Sequence, residues 1–133
     1  MQRSEILEKF HVHSILPTPQ RLEIAGILLE RPQHLSADQI IDRLRVAGST
    51  VSKATVYNTL NLFSERGLVK ELTVDPERTY YDSSTHPHHH FYNLDTGALT
   101  DIDAADIEVL NLPDLPEGTR AERVEIVVSI RNR

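Results

Sequence analysis

Gly67 divides this sequence into two periodicities, and that change of period constrains the fold more than any other feature. Upstream, apolar residues recur at helical spacing in four blocks; downstream they alternate as in strands. From Arg3 to Phe10, Ile6, Leu7 and Phe10 share one helical face. Pro17-Thr18-Pro19 breaks that helix, and Thr18 is placed to cap a second one with Pro19 in its first turn. Leu22, Ile24, Ala25, Ile27, Leu28 and Leu29 carry the second helix to about Glu30, and Pro32 ends it. Ser36, with Gln39 three residues on, predicts a capping box for a third helix through Ile40, Ile41, Leu44 and Val46, stopped by Gly48. Ser52 or Ser49 opens a fourth through Val56, Leu60 and Phe63, closed by Gly67 in a left-handed conformation.

Past Gly67, residues 68–74 read as a strand, Asp75-Pro76-Glu77 as a turn, and Arg78 to Asp82 as the return strand. Two helices joined tightly at Gly48 and followed by a hairpin form a winged helix-turn-helix pattern. After Ser83-Ser84-Thr85 a second unit starts. His88, His90, Tyr92 and Leu94 alternate along a strand, Asp95-Thr96-Gly97 turns, and Ala98 to Ile102 returns. Ala104 to Leu110 reads as a short helix, residues 113–118 as loop, and Val124, Ile126, Val128 and Ile130 as a last strand. The expected fold class is α+β: a winged helix-turn-helix domain over residues 1–82, then a small α/β dimerisation domain over 83–133. A second unit this small is expected to complete its core against another copy.

A chain of 133 residues has room for one ordinary domain or two small ones. It contains no cysteine, which excludes disulfides, thiolate zinc sites and a cysteine nucleophile. No apolar run reaches membrane-spanning length and MQRSEILEKF is not a signal peptide, so a cytoplasmic location is expected and no membrane partner. The net charge of -6 argues against nucleic acid as a partner only until its distribution is considered. The acidic excess lies mostly after residue 82, which leaves the first half free to present a local basic face.

Two constellations carry chemistry. The start of a recognition helix faces base edges and phosphates, and here it reads Ser52-Lys53-Ala54-Thr55-Val56-Tyr57-Asn58-Thr59. Lys53 offers charge to phosphates; Ser52, Thr55 and Asn58 offer polar groups to DNA; Tyr57 adds a ring for a thymine methyl. The alternative is an ordinary solvated helix face. The second constellation comprises His34, in the loop before the third helix, and the run His86, His88, His89 and His90. His88 and His90 lie on one side of their strand, and the turn at Asp95-Thr96 places Asp101 or Ile102 opposite His90 and Asp103 near His88. Nitrogen and oxygen donors without sulfur suit Fe(II), Mn(II) or Zn(II). The alternative is a solvated histidine tract.

Together these residues resemble the ferric uptake regulator family of metal-dependent repressors, over nearly the whole chain. The resemblance rests on Pro-Thr-Pro-Gln-Arg (17–21), His-Leu-Ser-Ala-Asp (34–38), Ala-Thr-Val-Tyr-Asn-Thr-Leu (54–60), Gly-Leu-Val-Lys-Glu (67–71), and Tyr-Asp (81–82) followed by His-x-His (88–90). It implies a regulatory metal site at His34, Asp82, His88, His90 and Asp101, with two ligands from the DNA-binding half and three from the other. A shared metal would then set the angle between halves, and so the spacing of recognition helices in a dimer on a palindromic operator. It also implies that Tyr57 reads the major groove and that Arg21 lies near DNA. The family's structural zinc uses paired Cys-x-x-Cys motifs; Asn93 and Thr96 stand where the first pair would be, so no four-cysteine zinc is expected. A further family metal site falls on Pro87, His89, Glu108 and Glu122, of which the last three can ligate.

Within the family, the residues of 85–92, Leu-Pro-Glu-Gly-Thr (115–119) and Val-Val-Ser-Ile-Arg-Asn-Arg (127–133) look most like the iron response regulators. That branch implies control of iron and haem metabolism, with haem or metal at the triple histidine. The aspartates at 82 and 101 also fit the peroxide sensors, in which bound Fe(II) oxidises a ligand histidine. The leading expectation is a metal-responsive repressor, not an enzyme, assembled as a homodimer or tetramer on double-stranded DNA. Its rivals are a mononuclear non-haem metalloenzyme built on a two-histidine, one-carboxylate triad and a metal-storage or interaction module.

Overall fold

A computed structural model describes residues 1–75, 77–84 and 88–133, with Asp75 described by its backbone alone. Pro76 of the expected turn, Thr85, His86 and Pro87 lie outside the described residues. The chain divides into two compact units, Met1–Thr85 and His86–Arg133.

The first unit is built from α1 (Arg3–Val12), α2 (Pro19–Leu28), β1 (His34–Ser36), α3 (Ala37–Val46), α4 (Lys53–Glu65), β2 (Lys70–Asp75) and β3 (Arg78–Asp82). Its helix starts are set by side chains. Thr18 Oγ1 accepts from Arg21 N at 3.2 Å, with Pro19 supplying the preset φ of a first turn. Ser36 and Gln39 form the full capping box, each side chain bonded to the other's backbone N–H at 3.2 and 2.9 Å. Ser52, not Ser49, caps α4, because Ser49 Oγ is engaged by Val51 N and by Glu23. Helices α3 and α4 end alike. Gly48 and Gly67 adopt φ of 84° and 76°, and the residues beyond them donate back to Leu44 O and Phe63 O, both at 2.9 Å. A side chain at either glycine would pay for that left-handed backbone in strain.

The capped helices bury Phe10, Ile24, Leu28, Ile40, Leu44, Val56, Leu60 and Phe63 in one cluster, which Tyr81 of β3 joins from the sheet. Phe10 and Phe63 pack with ring centroids 5.6 Å apart. The sheet has the order β1-β3-β2, all antiparallel. Its strand β1 corrects the expectation that His34 lies in a loop. Three residues are too short to display alternation, yet Leu35 is buried between half-exposed neighbours as a strand requires.

The second unit contains β4 (His88–Asn93), β5 (Leu99–Asp103) and β6 (Val127–Ile130), in the order β5-β4-β6. The β4–β5 hairpin has the expected register, with His90 opposite Asp101 and His88 opposite Asp103; Ile102 lies opposite His89. The helix expected from Ala104 to Leu110 is a single 3-10 turn, Ala104–Asp106, nucleated by Asp103 Oδ1 accepting from Ala105 N at 3.1 Å. Ile107 already takes an extended backbone, φ -125° and ψ 128°, and residues 107–126 form neither helix nor strand. The last strand begins at Val127 rather than Val124 and pairs parallel to β4. Asn93 and Asp95 fasten its far end: Asn93 Nδ2 donates to Asn132 Oδ1, while Asp95 accepts from Arg131 Nη1 and Asn132 N, all at 2.9 Å. No described helix is long and apolar enough to cross a membrane.

Candidate metal centre and nucleic-acid interface

Three nitrogen and oxygen donors converge in the second unit. Strand alternation points His88 and His90 to one face of β4, with ring centroids 4.5 Å apart. The hairpin register brings Asp101 to the same face, and its Oδ1 lies 3.6 Å from His88 Nε2 and 3.4 Å from His90 Nε2. One donor atom from each lies within 4.8 Å of the others. These spacings exceed ordinary hydrogen-bond lengths. They fall where two ligands of one ion sit, since metal–ligand bonds of about 2.1 Å separate neighbouring ligands by roughly 3 to 4.2 Å. His90 is fully buried, whereas the Asp101 side chain is 51% exposed. Imidazole and carboxylate without thiolate match Fe(II), Mn(II) or Zn(II) in chemistry, so the donor set fits such an ion.

The first unit presents a separate pair. His34 and Asp82 are directly opposed across β1 and β3, so both side chains leave the same face of the sheet. Asp82 is 1% exposed and its Oδ1 accepts from Ser84 N at 2.8 Å, which orients the carboxylate. Lys70 of β2 stands in the same row, opposed to Asp82 from the other side. The five residues expected to bind a metal are therefore two on one face of the first sheet and three on one face of the second.

Helix α4 presents Lys53, Tyr57 and Asn58 to solvent, with Tyr57 44% exposed, while Val56, Thr59, Leu60 and Phe63 turn inward. Ser52 and Thr55 have another task, since Ser52 Oγ caps Thr55 N and donates to Thr55 Oγ1 at 2.9 Å. Arg21, Gln20, Thr55 and Asn58 line one groove between the start of α2 and the face of α4. Arg21 is held there because its Nη1 donates to Leu16 O at 2.7 Å. Tyr57 opens onto a second groove with Arg78, Tyr80 and the start of α3. Gln20 and Arg78 line these grooves from α2 and β3, outside the recognition helix from which the DNA-facing residues are read.

Residues 13–128 match the family model described as the ferric uptake regulator family. The chain belongs to that family. The peroxide-responsive repressors PerR of Staphylococcus epidermidis and Staphylococcus aureus are 37% identical to it over 85 residues, 64% of this chain. That alignment spans just over half of those relatives, 57% of their length. A solved ferric uptake regulator from Pseudomonas aeruginosa with manganese matches with TM-score 0.75 and 25% identity, covering 96% of this chain and 97% of its own.

The family's further histidine-rich site is not assembled here among the described residues. His89 points to the opposite face of β4 from His88 and His90, and its Nδ1 accepts from Ile126 N at 2.9 Å. That bond to the chain entering β6 occupies one of its two ring nitrogens. Glu108 and Glu122 are exposed in the stretch without regular structure, and neither joins His89 in a cluster of donors. The sequence could not reveal this, because a parallel strand pairing leaves no local pattern.

Proposed function

We propose that this chain is a homodimeric or tetrameric, metal-dependent transcriptional repressor, and that one ion shared by His34, Asp82, His88, His90 and Asp101 controls its affinity for a palindromic DNA operator. The observation that carries the reading is the division of the donors: each unit offers an incomplete set on one sheet face. Neither two donors nor three fill the sphere of an ion that prefers five or six ligands, so an ion that gathers both sets favours one arrangement of the units. Fe(II) or Mn(II) is the regulatory ion, and Zn(II) can occupy the site on purification. Burial of His88, His89 and His90 favours a small ion over haem at this run. In the bound state Asp82 and Asp101 supply negative charge, the imidazoles supply neutral nitrogen, and His34 ties the DNA-binding unit to the rest.

On DNA, α4 enters the major groove. Lys53 neutralises phosphate, Tyr57 and Asn58 contact base edges, and Arg21 holds the flanking backbone. The exposed apolar residues Phe91, Val128 and Ile130 share one face of the second sheet and support assembly of copies through it. The regulated process is iron and haem homeostasis. A second reading, peroxide sensing, is favoured by the similarity to the PerR repressors and by the aspartates at 82 and 101. In that reading bound Fe(II) supplies the redox chemistry that oxidises a ligand histidine. Mass spectrometry of Fe(II)-loaded protein after peroxide separates the two: oxygen added to His34, His88 or His90 marks a peroxide sensor.

The test of the shared site is His34→Ala at saturating Mn(II). The variant keeps the three donors of the second unit and should still bind Mn(II), more weakly. Its operator affinity should stay at the metal-free level. His90→Ala should lose Mn(II) binding outright. Wild-type operator affinity for His34→Ala at saturating Mn(II) would overturn the shared site.

A further inference from the structure

Gln33 and Ser83 each adjoin a proposed ligand of the first unit, preceding His34 and following Asp82, and they are bound to each other. Gln33 N donates to Ser83 Oγ at 3.1 Å and Ser83 N donates to Gln33 O at 3.0 Å. The Ser83 hydroxyl proton is within reach of Arg31 O and Gln33 O, at 3.1 and 3.2 Å. The Gln33 side chain faces the other way, into the helices. Its Nε2 donates to Ile27 O and Leu28 O at 2.9 and 3.2 Å, carbonyls at the end of α2 that have no partner within the helix. Its Oε1 accepts from Arg43 Nη1 of α3 at 3.1 Å. Every polar group of this side chain is thus used, and reversing the amide would break all three bonds.

We infer that Gln33 is a positioning residue: it fixes the His34–Asp82 pair for metal and couples that pair to the helix-turn-helix through α2 and Arg43. The inference rests on the proposed role of His34 and Asp82 as ligands. The physical argument is one of rigidity. A three-residue edge strand has few ladder bonds, so β1 would otherwise fray, and a frayed β1 would make His34 costly to order when metal binds. The Gln33 amide removes that cost in advance by tying the start of β1 to two helix carbonyls. The same bonds transmit movement in reverse. A shift of β1 on metal binding pulls on α2 and on Arg43, and α3 leads through Gly48 into α4.

The experiment uses the full chain with Mn(II) as probe, read by chelator competition, together with amide exchange of the metal-free protein. Gln33→Met preserves volume and removes the three bonds; Ser83→Ala removes the hydroxyl, and Ser83→Thr restores it. Gln33→Met and Ser83→Ala should each weaken Mn(II) binding by about tenfold, the low end for residues that orient metal ligands, and Ser83→Thr should recover most of that loss. In metal-free protein Gln33→Met should speed exchange at Leu35 and leave the core of α4 unchanged. Arg43→Met should bind Mn(II) within about threefold of wild type yet lose most of the Mn(II)-induced gain in operator affinity. Mn(II) binding within twofold of wild type for both Gln33→Met and Ser83→Ala would overturn the inference. If Gln33→Met fails to fold, the Ser83 pair decides. His34→Ala and Asp82→Asn serve as references: if they too bind Mn(II) like wild type, the ligand assignment has failed, and if they alone bind it weakly, only the positioning role has.

Discussion

The two units of this chain reach order by different routes. In the first, four short helices with side-chain or glycine caps enclose a continuous apolar cluster, and a small sheet closes one side of it. In the second, Tyr92, Leu99 and Ile102 are the buried apolar residues among those described, and as many histidines are buried beside them. Phe91, Leu94, Leu110, Leu112, Leu115, Val128 and Ile130 remain exposed. The first unit satisfies itself. The second places metal-capable side chains on its central strand and leaves much apolar surface exposed, as the sensing and assembly unit proposed above would require.

The largest expected effect comes from separating them. Residues 1–85 alone should melt cooperatively, while residues 86–133 alone should lose nearly all β-structure by circular dichroism, because three strands with so small an interior fall below independent stability. A cooperatively melting 86–133 fragment would break the comparison. Point substitutions sharpen it. Phe63→Ala empties the middle of the helical cluster and should cost about 3–5 kcal/mol in urea unfolding. Phe91→Ala removes a ring that is 39% exposed and should cost under about 1 kcal/mol at low protein concentration. If the apolar sheet face is covered by another copy, that cost should grow with protein concentration. Equal costs for the two rings at every concentration would erase the distinction.

Legibility in the sequence follows the same division. Helix boundaries in the first unit were readable because Thr18, Ser36, Ser52, Gly48 and Gly67 are local signals, and the β4–β5 register was readable because a tight turn fixes which residues face each other. The His-x-His spacing with Asp101 is therefore legible as a donor set in the sequence itself. What escaped is non-local or brief. Strand β1 is three residues long, β6 pairs in parallel with a strand more than thirty positions earlier, and the bonds of Gln33 reach Ser83, 50 positions away, and Arg43 on the next helix. The missing helix after Asp103 shows apolar residues, the β-branched Ile107 and Val109 among them, mistaken for a helical stripe where the backbone turns extended at Ile107.

Smaller effects are expected on the exposed face of α4, the side of the first unit proposed to meet DNA, where fold stability should barely change. Tyr57→Ala should lose about 1–3 kcal/mol of operator affinity and leave binding to random DNA nearly intact. Lys53→Ala should weaken both and lower the salt dependence by about one ion. Filter binding across a salt series measures the two slopes, and identical profiles for both variants would remove α4 as the reading helix.

The smallest effect lies at Tyr81, which joins the first unit's sheet to its helical cluster. Burial, the Glu71 carboxylate opposite it on β2, and Tyr57 hold its hydroxyl above the usual phenol value of 10.0. The sign follows from linkage. The unfolded chain gives up this proton near pH 10 while the folded chain still holds it, so the contribution is complete at neutral pH and is lost as pH rises through the folded value. Wild type should therefore lose stability above about pH 10, and Tyr81→Phe should lose less over the same interval while matching wild type to within about 1 kcal/mol at pH 7. Because this group belongs to the first unit and sits in its sheet, amide exchange in β1 to β3 should quicken at alkaline pH more than exchange in β4 and β5. Parallel stability profiles for wild type and Tyr81→Phe above pH 10 would show that the phenol is not held out of water by its neighbours, and that the joint between sheet and helices is looser than its burial indicates.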